Sequence, residues 1–355
     1  MLFLFKPILR SLRSLQRASA LKNVQRKIGC TKASLGSLSE AVEVFDPDRL
    51  LGILESLAAE AKPVRDVRGD HIAHVLTAVD GSVVKTLKSI AEAAFMNGKN
   101  GESHSGWRPH DHLDIDRGVP VRIDVTPASN SGKGDEEDRL RVRLAPDHCY
   151  VMDRWYAQFT LWRDIVAARS SYVCRVRVNT NLEVVIQERP ISAEARAAGV
   201  LRDVVVELGG DRKEEERPGH RVRIVMVKTT PHAKRGGRKG GTAGPSSGGM
   251  LRIATNLLDV PAEIIANIYK YRWTIELFFR FFKHVLGCRH LLSTYPKGIA
   301  IQAYCAIIAC LLISLWTGRK PTLRTYEMIC LYFAGWADLE ELIEHIGKLK
   351  EQKNL

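Results

Sequence analysis

The chain has 355 residues, 45% of them hydrophobic, which is more than one typical domain of ~150 residues and excludes a wholly disordered polypeptide. Lys and Arg number 53 against 40 Asp and Glu, a net charge of +13 that favours a polyanionic partner, nucleic acid being the commonest. Seven cysteines with no Cys-x-x-Cys pair exclude a disulfide framework and a zinc ribbon, and point to a reducing compartment.

Residues 1–39 contain no acid but eight basic residues, from Lys6 to Lys32. The composition fits an organellar presequence or a basic helical arm for DNA phosphates, and the rest of the chain favours the arm. The opening run Met1–Phe5 is too short for a secretory core. Residues 1–70 read as helical, with Asp48–Ala61 the clearest stretch and Asp46 or Asp48 as its cap. His74–Val79 is a short apolar strand that ends at Asp80-Gly81-Ser82, and a helical run to about Met96 is expected after it. A polar loop, Asn97–Ser105, leads to a hairpin whose turn is Asp116-Arg117-Gly118, between Leu113–Ile115 and the alternating Val121–Val125. Past a soft stretch, Ser129–Asp138, the run Cys149–Met152 has a buried-strand pattern ending at Asp153, and a helix follows from about Ala157 to Ala168.

Five β-branched runs then occupy residues 172–255: Val173–Val178, Leu182–Gln187, Val204–Leu208, Val222–Lys228 and Leu251–Thr255. Before the last of them lies a low-complexity loop, Pro231–Gly249, expected to be mobile because it has little apolar surface to bury. Its cations Lys234, Arg235, Arg238 and Lys239 are candidates for phosphate contacts, with a solvated linker as the plain alternative. From Pro261 to Trp316 the chain reads as helical, and Thr325–Leu349 adds one or two amphipathic helices. Ile299–Trp316 is eighteen residues without a formal charge, at the lower edge of a membrane span. Gln302, Tyr304 and Ser314 interrupt it, so a buried core helix is the better reading, and no membrane partner is expected.

Ile264–Gly287 is the most informative segment. At about 100° per residue from Tyr269, Arg272 falls near −60°, Glu276 near −20° and Lys283 near −40°. Four polar groups thus share one narrow face, with Ile275, Phe278, Phe281, Phe282 and Val285 opposite. The bland reading is a solvated face with an Arg272–Glu276 pair. An aromatic hydroxyl, two cations and a carboxylate are also the set that a phosphodiester-cutting site needs. Trp273 reads as core. His110 and His112 read as strand residues, possible neighbours of DNA, while Asp114, Asp116 and Asp124 suit turn or surface roles better than catalysis.

Tyr269-x2-Arg272-x3-Glu276-x6-Lys283 resembles the Tyr-Arg-Glu-Lys signature of the IS-four family of insertion-sequence DDE transposases. Ala254-Thr255-Asn256-Leu257 ahead of it fits the same family, and so does Tyr271-Arg272-Trp273 within it. Upstream, Val79-Asp80-Gly81-Ser82 resembles the family's first catalytic aspartate motif and Tyr150-Val151-Met152-Asp153-Arg154 its second, with Trp155 where the family usually has glycine. The resemblance covers about residues 35–315. Members usually carry a longer region ahead of the catalytic core, which implies that this chain begins inside it.

The resemblance implies an α/β fold: a ribonuclease-H-like core interrupted by a β-rich insertion, between helical N- and C-terminal regions. The expected boundaries are 1–70 for the basic helical region, 71–171 and 256–318 for the core, 172–255 for the insertion and 319–355 for the C-terminal helices. Asp80, Asp153 and Glu276 would be the catalytic carboxylates holding two Mg²⁺ ions, with Mn²⁺ as a substitute, about 4 Å apart. Tyr269, Arg272 and Lys283 would bind the DNA backbone. The implied partners are double-stranded DNA, as terminal inverted repeats and as target, and a second copy of the chain in a homodimer. The implied setting is the bacterial cytoplasm, at the nucleoid. Two alternatives stay open: a non-catalytic DNA-binding descendant of a transposase, and an organellar or membrane-associated protein, which membrane fractionation would separate from the others.

Overall fold

The structure is a computed structural model, and it describes residues 4, 9, 11–67, 69–82, 84–86, 94–97, 103–127, 135–177, 180, 184–229, 249–284, 293, 295–319 and 322–351. Among the described residues the strands, in chain order, are β1 (Val75–Gly81), β2 (Val84–Thr86), β3 (Ala94–Asn97), β4 (Ser103–Asp114), β5 (Val119–Pro127) and β6 (His148–Met152). They continue as β7 (Ser171–Val176), β8 (Val184–Glu188), β9 (Val200–Glu207), β10 (Val222–Lys228) and β11 (Met250–Thr255). The fold is therefore mixed α/β. The chain divides into two compact units, one of Arg65–Val79 and Glu136–Thr274, the other of Met1–Val64, Asp80–Asp135 and Ile275–Leu355.

The first, the sheet unit, orders its strands β1-β6-β7-β11-β10-β9-β8. β1, β6 and β7 run parallel, and from β7 outward every pairing is antiparallel. The parallel members are continuous apolar runs, Leu76–Val79 and Cys149–Met152, as strands covered on both faces must be. The helix Phe159–Ala167 lays Leu161, Trp162 and Ile165 on this sheet, and Trp162 stacks on Tyr172 of β7 with ring centroids 4.9 Å apart. At the far edge, β8 is exposed along its whole length.

Within that apolar sheet lies a charge. Arg223, in the middle of the Val222–Met226 run, is 1% exposed and Asp203 of β9 is 3% exposed. Val225 faces Asp203 and Arg223 faces Val205, so the pair sits diagonally on one sheet face. Nε donates to Oδ1 at 2.8 Å and Nη2 to Oδ2 at 2.7 Å, a two-pronged match of guanidinium and carboxylate. Nη1 donates to the carbonyls of Leu257 (3.1 Å), Leu258 (3.2 Å) and Val260.

The other unit is built on the β4–β5 hairpin. Its turn closes as the sequence indicates: the Gly118 amide donates to the Asp114 carbonyl at 2.8 Å, and Gly118 has φ +68°, which glycine adopts without steric cost. The buried Asp114 accepts from the Arg117 amide and guanidinium, which gives it a structural role. The helical run expected after Ser82 is not found. Val84–Thr86 is β2 and Ala94–Asn97 is β3, both antiparallel to β4. A twelve-residue strand has two edges of backbone donors and acceptors to satisfy, and tertiary pairing here overrides local helical preference.

The core of this unit is the helix Pro296–Thr317, whose Ala303, Ala306, Ile307 and Leu311 pack with Leu54, Ala58, Ile123 and Phe282. It is long and apolar enough to cross a membrane, but 67% of its most apolar window is buried, as a core helix requires. The expected C-terminal helices are two, Leu323–Ala334 and Leu339–Glu351.

Removing one partner of the buried pair strands the other charge in the sheet. Arg223→Met is expected to destabilise the protein by about 3–5 kcal/mol, and the double variant Arg223→Met, Asp203→Leu by clearly less than the sum of the singles. Urea unfolding of the three variants measures this; additive losses would show that the pair is not coupled.

Candidate functional site

In the sheet unit β1 and β6 are paired through Ala78 and Val151. Asp153 follows Val151 by two residues, just past the end of β6, and Asp80 follows Ala78 by two residues, still within β1. Asp153 is extended, and its Oδ1 accepts the Trp155 amide at 2.7 Å, capping a single 3-10 turn, Arg154–Tyr156. The side chain of Trp155 points out, 47% exposed. Behind Asp153, the Cys174 thiol of β7 donates to its carbonyl at 3.3 Å.

Tyr269 and Arg272 enter the same neighbourhood from the end of the helix Ala262–Tyr271. The Arg272 guanidinium carbon lies 5.9 Å from the centre of the Tyr269 ring. Tyr269 is 8% exposed, and burial pushes its hydroxyl up to about 12, opposed by the cations Arg272 and Arg175 and reinforced by Cys174 and Asp153. Burial likewise raises Cys174, the Asp153 charge adding to it and Arg272 opposing. Asp153, Cys174, Arg175, Tyr269 and Arg272 therefore share one electrostatic environment. Its phenol holds its proton and can donate; its guanidinium can take a phosphate.

The signature segment is not one continuous helix. It breaks at Arg272 into Ala262–Tyr271 and Trp273–His284, so the single stripe drawn on an unbroken wheel is corrected to two short helices. The Arg272 amide donates to the Tyr269 carbonyl, three residues back, at 3.1 Å. The Thr274 hydroxyl donates to the Tyr271 carbonyl at 2.7 Å. Trp273, read as core, is instead 47% exposed at this break.

Glu276 lies half-buried in the first turn of Trp273–His284, and Lys283 lies near that helix's end. Both belong to the hairpin unit, as does Asp80, whose Oδ1 accepts the Gly81 amide at 2.9 Å. The loop cations Lys234, Arg235, Arg238 and Lys239 fall outside the described residues. His110 and His112 are strand residues as expected, but both are buried, and His110 Nε2 meets Thr126 Oγ1 at 2.8 Å, so neither is placed for DNA. Asp124 pairs with Arg122 at 3.4 Å. One acid went unread in the sequence: Asp111 of β4, fully buried, between two histidines in a strand that reads as polar.

Carboxylates are hard oxygen donors and suit a divalent cation such as Mg²⁺ or Mn²⁺. Among the described residues no three His, Cys, Asp or Glu side chains already stand close enough to hold a metal.

Residues 72–312, more than half of the chain, match the transposase DDE domain family, and the chain belongs to it. It is 28% identical over 233 residues to the protein described as transposase y4zB of Sinorhizobium fredii, covering 64% of this chain and 60% of that one. It is 26% identical over 164 residues to the protein of Geobacillus stearothermophilus described as a transposase for insertion sequence element IS5377, covering 46% and 38%. The chain thus spans less than two thirds of the length of these relatives. A looser likeness, TM-score 0.40 at 12% identity, covers 98% of this chain and 73% of the piggyBac transposase in a synaptic complex with hairpin DNA.

Because Tyr269 keeps its proton to about 12 when folded, against about 10 unfolded, its share of stability is complete below about pH 10 and is lost as pH rises toward 12. Tyr269→Phe should therefore lose less stability than the native chain over that window. Thermal melts across it give the slopes; equal slopes would show that the hydroxyl is not held in a buried site.

Proposed function

We propose that this chain is a DNA transposase that cuts and joins strands at the ends of its own insertion sequence, with Asp80, Asp153 and Glu276 as the catalytic carboxylates. The observation that supports this reading is the parallel pairing of β1 with β6 through Ala78 and Val151, each followed two residues on in the chain by one of these aspartates. The chain order supports a ribonuclease-H-like core: β1, then the β4–β5 hairpin, then β6 and β7 parallel to β1, then the helix with Glu276. The insertion expected over residues 172–255 begins within β7, and β8 to β11 make up its remainder between β7 and that helix. The Tyr269, Arg272, Glu276 and Lys283 spacing supports the narrower IS-four assignment.

In this reading Asp80, Asp153 and Glu276 hold divalent ions, Mg²⁺ by preference, which would supply charge stabilisation at the scissile phosphate. Arg272 and Lys283 bind backbone phosphates beside the cut, and Tyr269, kept protonated by burial, donates a hydrogen bond to one of them. Water attacks first at the element's end; the freed 3′-hydroxyl then attacks a phosphodiester of the target, and the protein forms no covalent bond to DNA. The basic N-terminal helices and the loop cations would add affinity without sequence information, and two copies would pair the two ends.

The test mixes purified protein and Mg²⁺ with DNA carrying the ends that flank its gene. Asp80→Asn, Asp153→Asn and Glu276→Gln are each expected to abolish cleavage while DNA affinity stays within a few-fold of the native value. Lys283→Ala and Arg272→Ala should weaken binding first, and added Mg²⁺ should not restore it. Affinity should fall steeply with salt, as counterions are released from each neutralised phosphate. Native-rate cleavage by any folded carboxylate variant would remove that residue from the site.

A further inference from the structure

Just beyond β1, Ser82 donates its amide to the carbonyl of Pro109 in β4 at 3.0 Å. In an antiparallel pairing, two residues back on one strand and two forward on the other stand level, which sets Asp111 beside Asp80. The proximity is electrostatic as well: burial disfavours the ionisation of Asp111, the Asp80 charge adds to this, and the His112 backbone amide opposes it. Asp111 is 0% exposed, and neither carboxyl oxygen has a hydrogen-bond partner among the described residues.

That is an unusual state for a buried acid. Asp203, also buried, holds Arg223 at 2.7 Å, and Asp114, three residues along β4, holds Arg117 at 3.2 Å. Desolvating a carboxyl without a partner is costly whether it is charged or neutral, because the neutral form also carries a donor that needs an acceptor. Setting it beside a second carboxylate raises that cost. A cation between the two would reverse both terms, replacing lost hydration and turning repulsion into shared attraction.

We propose that Asp111 is a further oxygen donor of the divalent-cation site at Asp80, holding the same ion from the neighbouring strand. The inference rests on the reading of Asp80 as a metal-binding residue. The buried Asp111 carboxyl makes β4 a wall of that site, and this arrangement predicts that Asp111 burdens the metal-free protein.

The full chain, without DNA, is titrated with Mn²⁺ and binding is followed by electron paramagnetic resonance; thermal melts are run in EDTA and in Mn²⁺. Asp111→Asn is expected to melt in EDTA at or above the native temperature, to lose much of the Mn²⁺-induced rise, and to bind Mn²⁺ about tenfold or more weakly. Asp80→Asn should weaken binding at least as much. If Asp80→Asn binds Mn²⁺ like the native chain, the reading of Asp80 fails. If Asp80→Asn loses the ion while Asp111→Asn keeps it, that reading stands and the role of Asp111 is overturned. Asp111→Ser, smaller and uncharged, is the second variant. Failure of both Asp111 variants to fold in EDTA would also overturn the proposal, which requires the metal-free chain to be relieved by losing this carboxyl.

Discussion

The buried Arg223 guanidinium is the constraint on which the position of Tyr269 and Arg272 within the sheet unit depends. One prong-pair is spent on Asp203, which ties β10 to β9. The remaining nitrogen reaches the carbonyls of Leu257, Leu258 and Val260, the loop between β11 and the helix that begins at Ala262. That loop has no strand partner, so its carbonyls would be unsatisfied inside the unit without a donor. Arginine can serve all of these acceptors because it carries five donors on one plane and keeps its charge. The helix carrying Tyr269 thus starts from a fixed point on the sheet. A hydrophobic residue at 223 would fill the space and leave the helix entry unanchored.

The strand-end aspartates illustrate a second constraint. A carboxylate within a paired parallel strand would be buried on a covered face, at high desolvation cost. Asp80, near the end of β1, and Asp153, just past β6, are each only partly buried. Asp153 meets its local need by capping its own turn through the Trp155 amide, which leaves a second oxygen for chemistry. Glycine after Arg154 is unnecessary for this, since the chain simply enters a 3-10 turn. The departure at Trp155 from the resembling motif therefore leaves the position of the acid intact.

Much of this was legible in the sequence where one signal dominated. The runs Val222–Lys228 and Cys149–Met152 gave strands at nearly the observed bounds, because β-branched and apolar content agreed with burial. The turn at Gly118 was legible because its chemistry is local. The segment after Ser82 was not: its strands exist only as partners of β4, and nothing within Val84–Thr86 announces that distant edge. The break at Arg272 was hidden for a related reason, since Tyr269, Arg272 and Glu276 keep helical spacing across it and Arg272 itself has helical dihedrals. Asp111 was missed because a strand reading Arg-Pro-His-Asp-His looks solvated, while its buried state arises from pairing on both edges of β4.

The basic surplus and the acidic site answer different demands of one proposed reaction. A net charge of +13 acts over distances of about a Debye length, drawing in a polyanion and paying no attention to its sequence. The same field disfavours metal ions, so on the proposed reading the cations would have to be held by carboxylates, whose local attraction outweighs the distant surplus. On the same reading those carboxylates would repel DNA until cations neutralise them. Arg272 beside Tyr269 lies within the field of Asp153, so positive groups able to seat a phosphate stand at the border of the acidic ones. On this reading neither DNA nor metal is bound to best effect alone: each supplies the charge that the other's contacts leave uncompensated, and binding of the two should be mutually reinforcing.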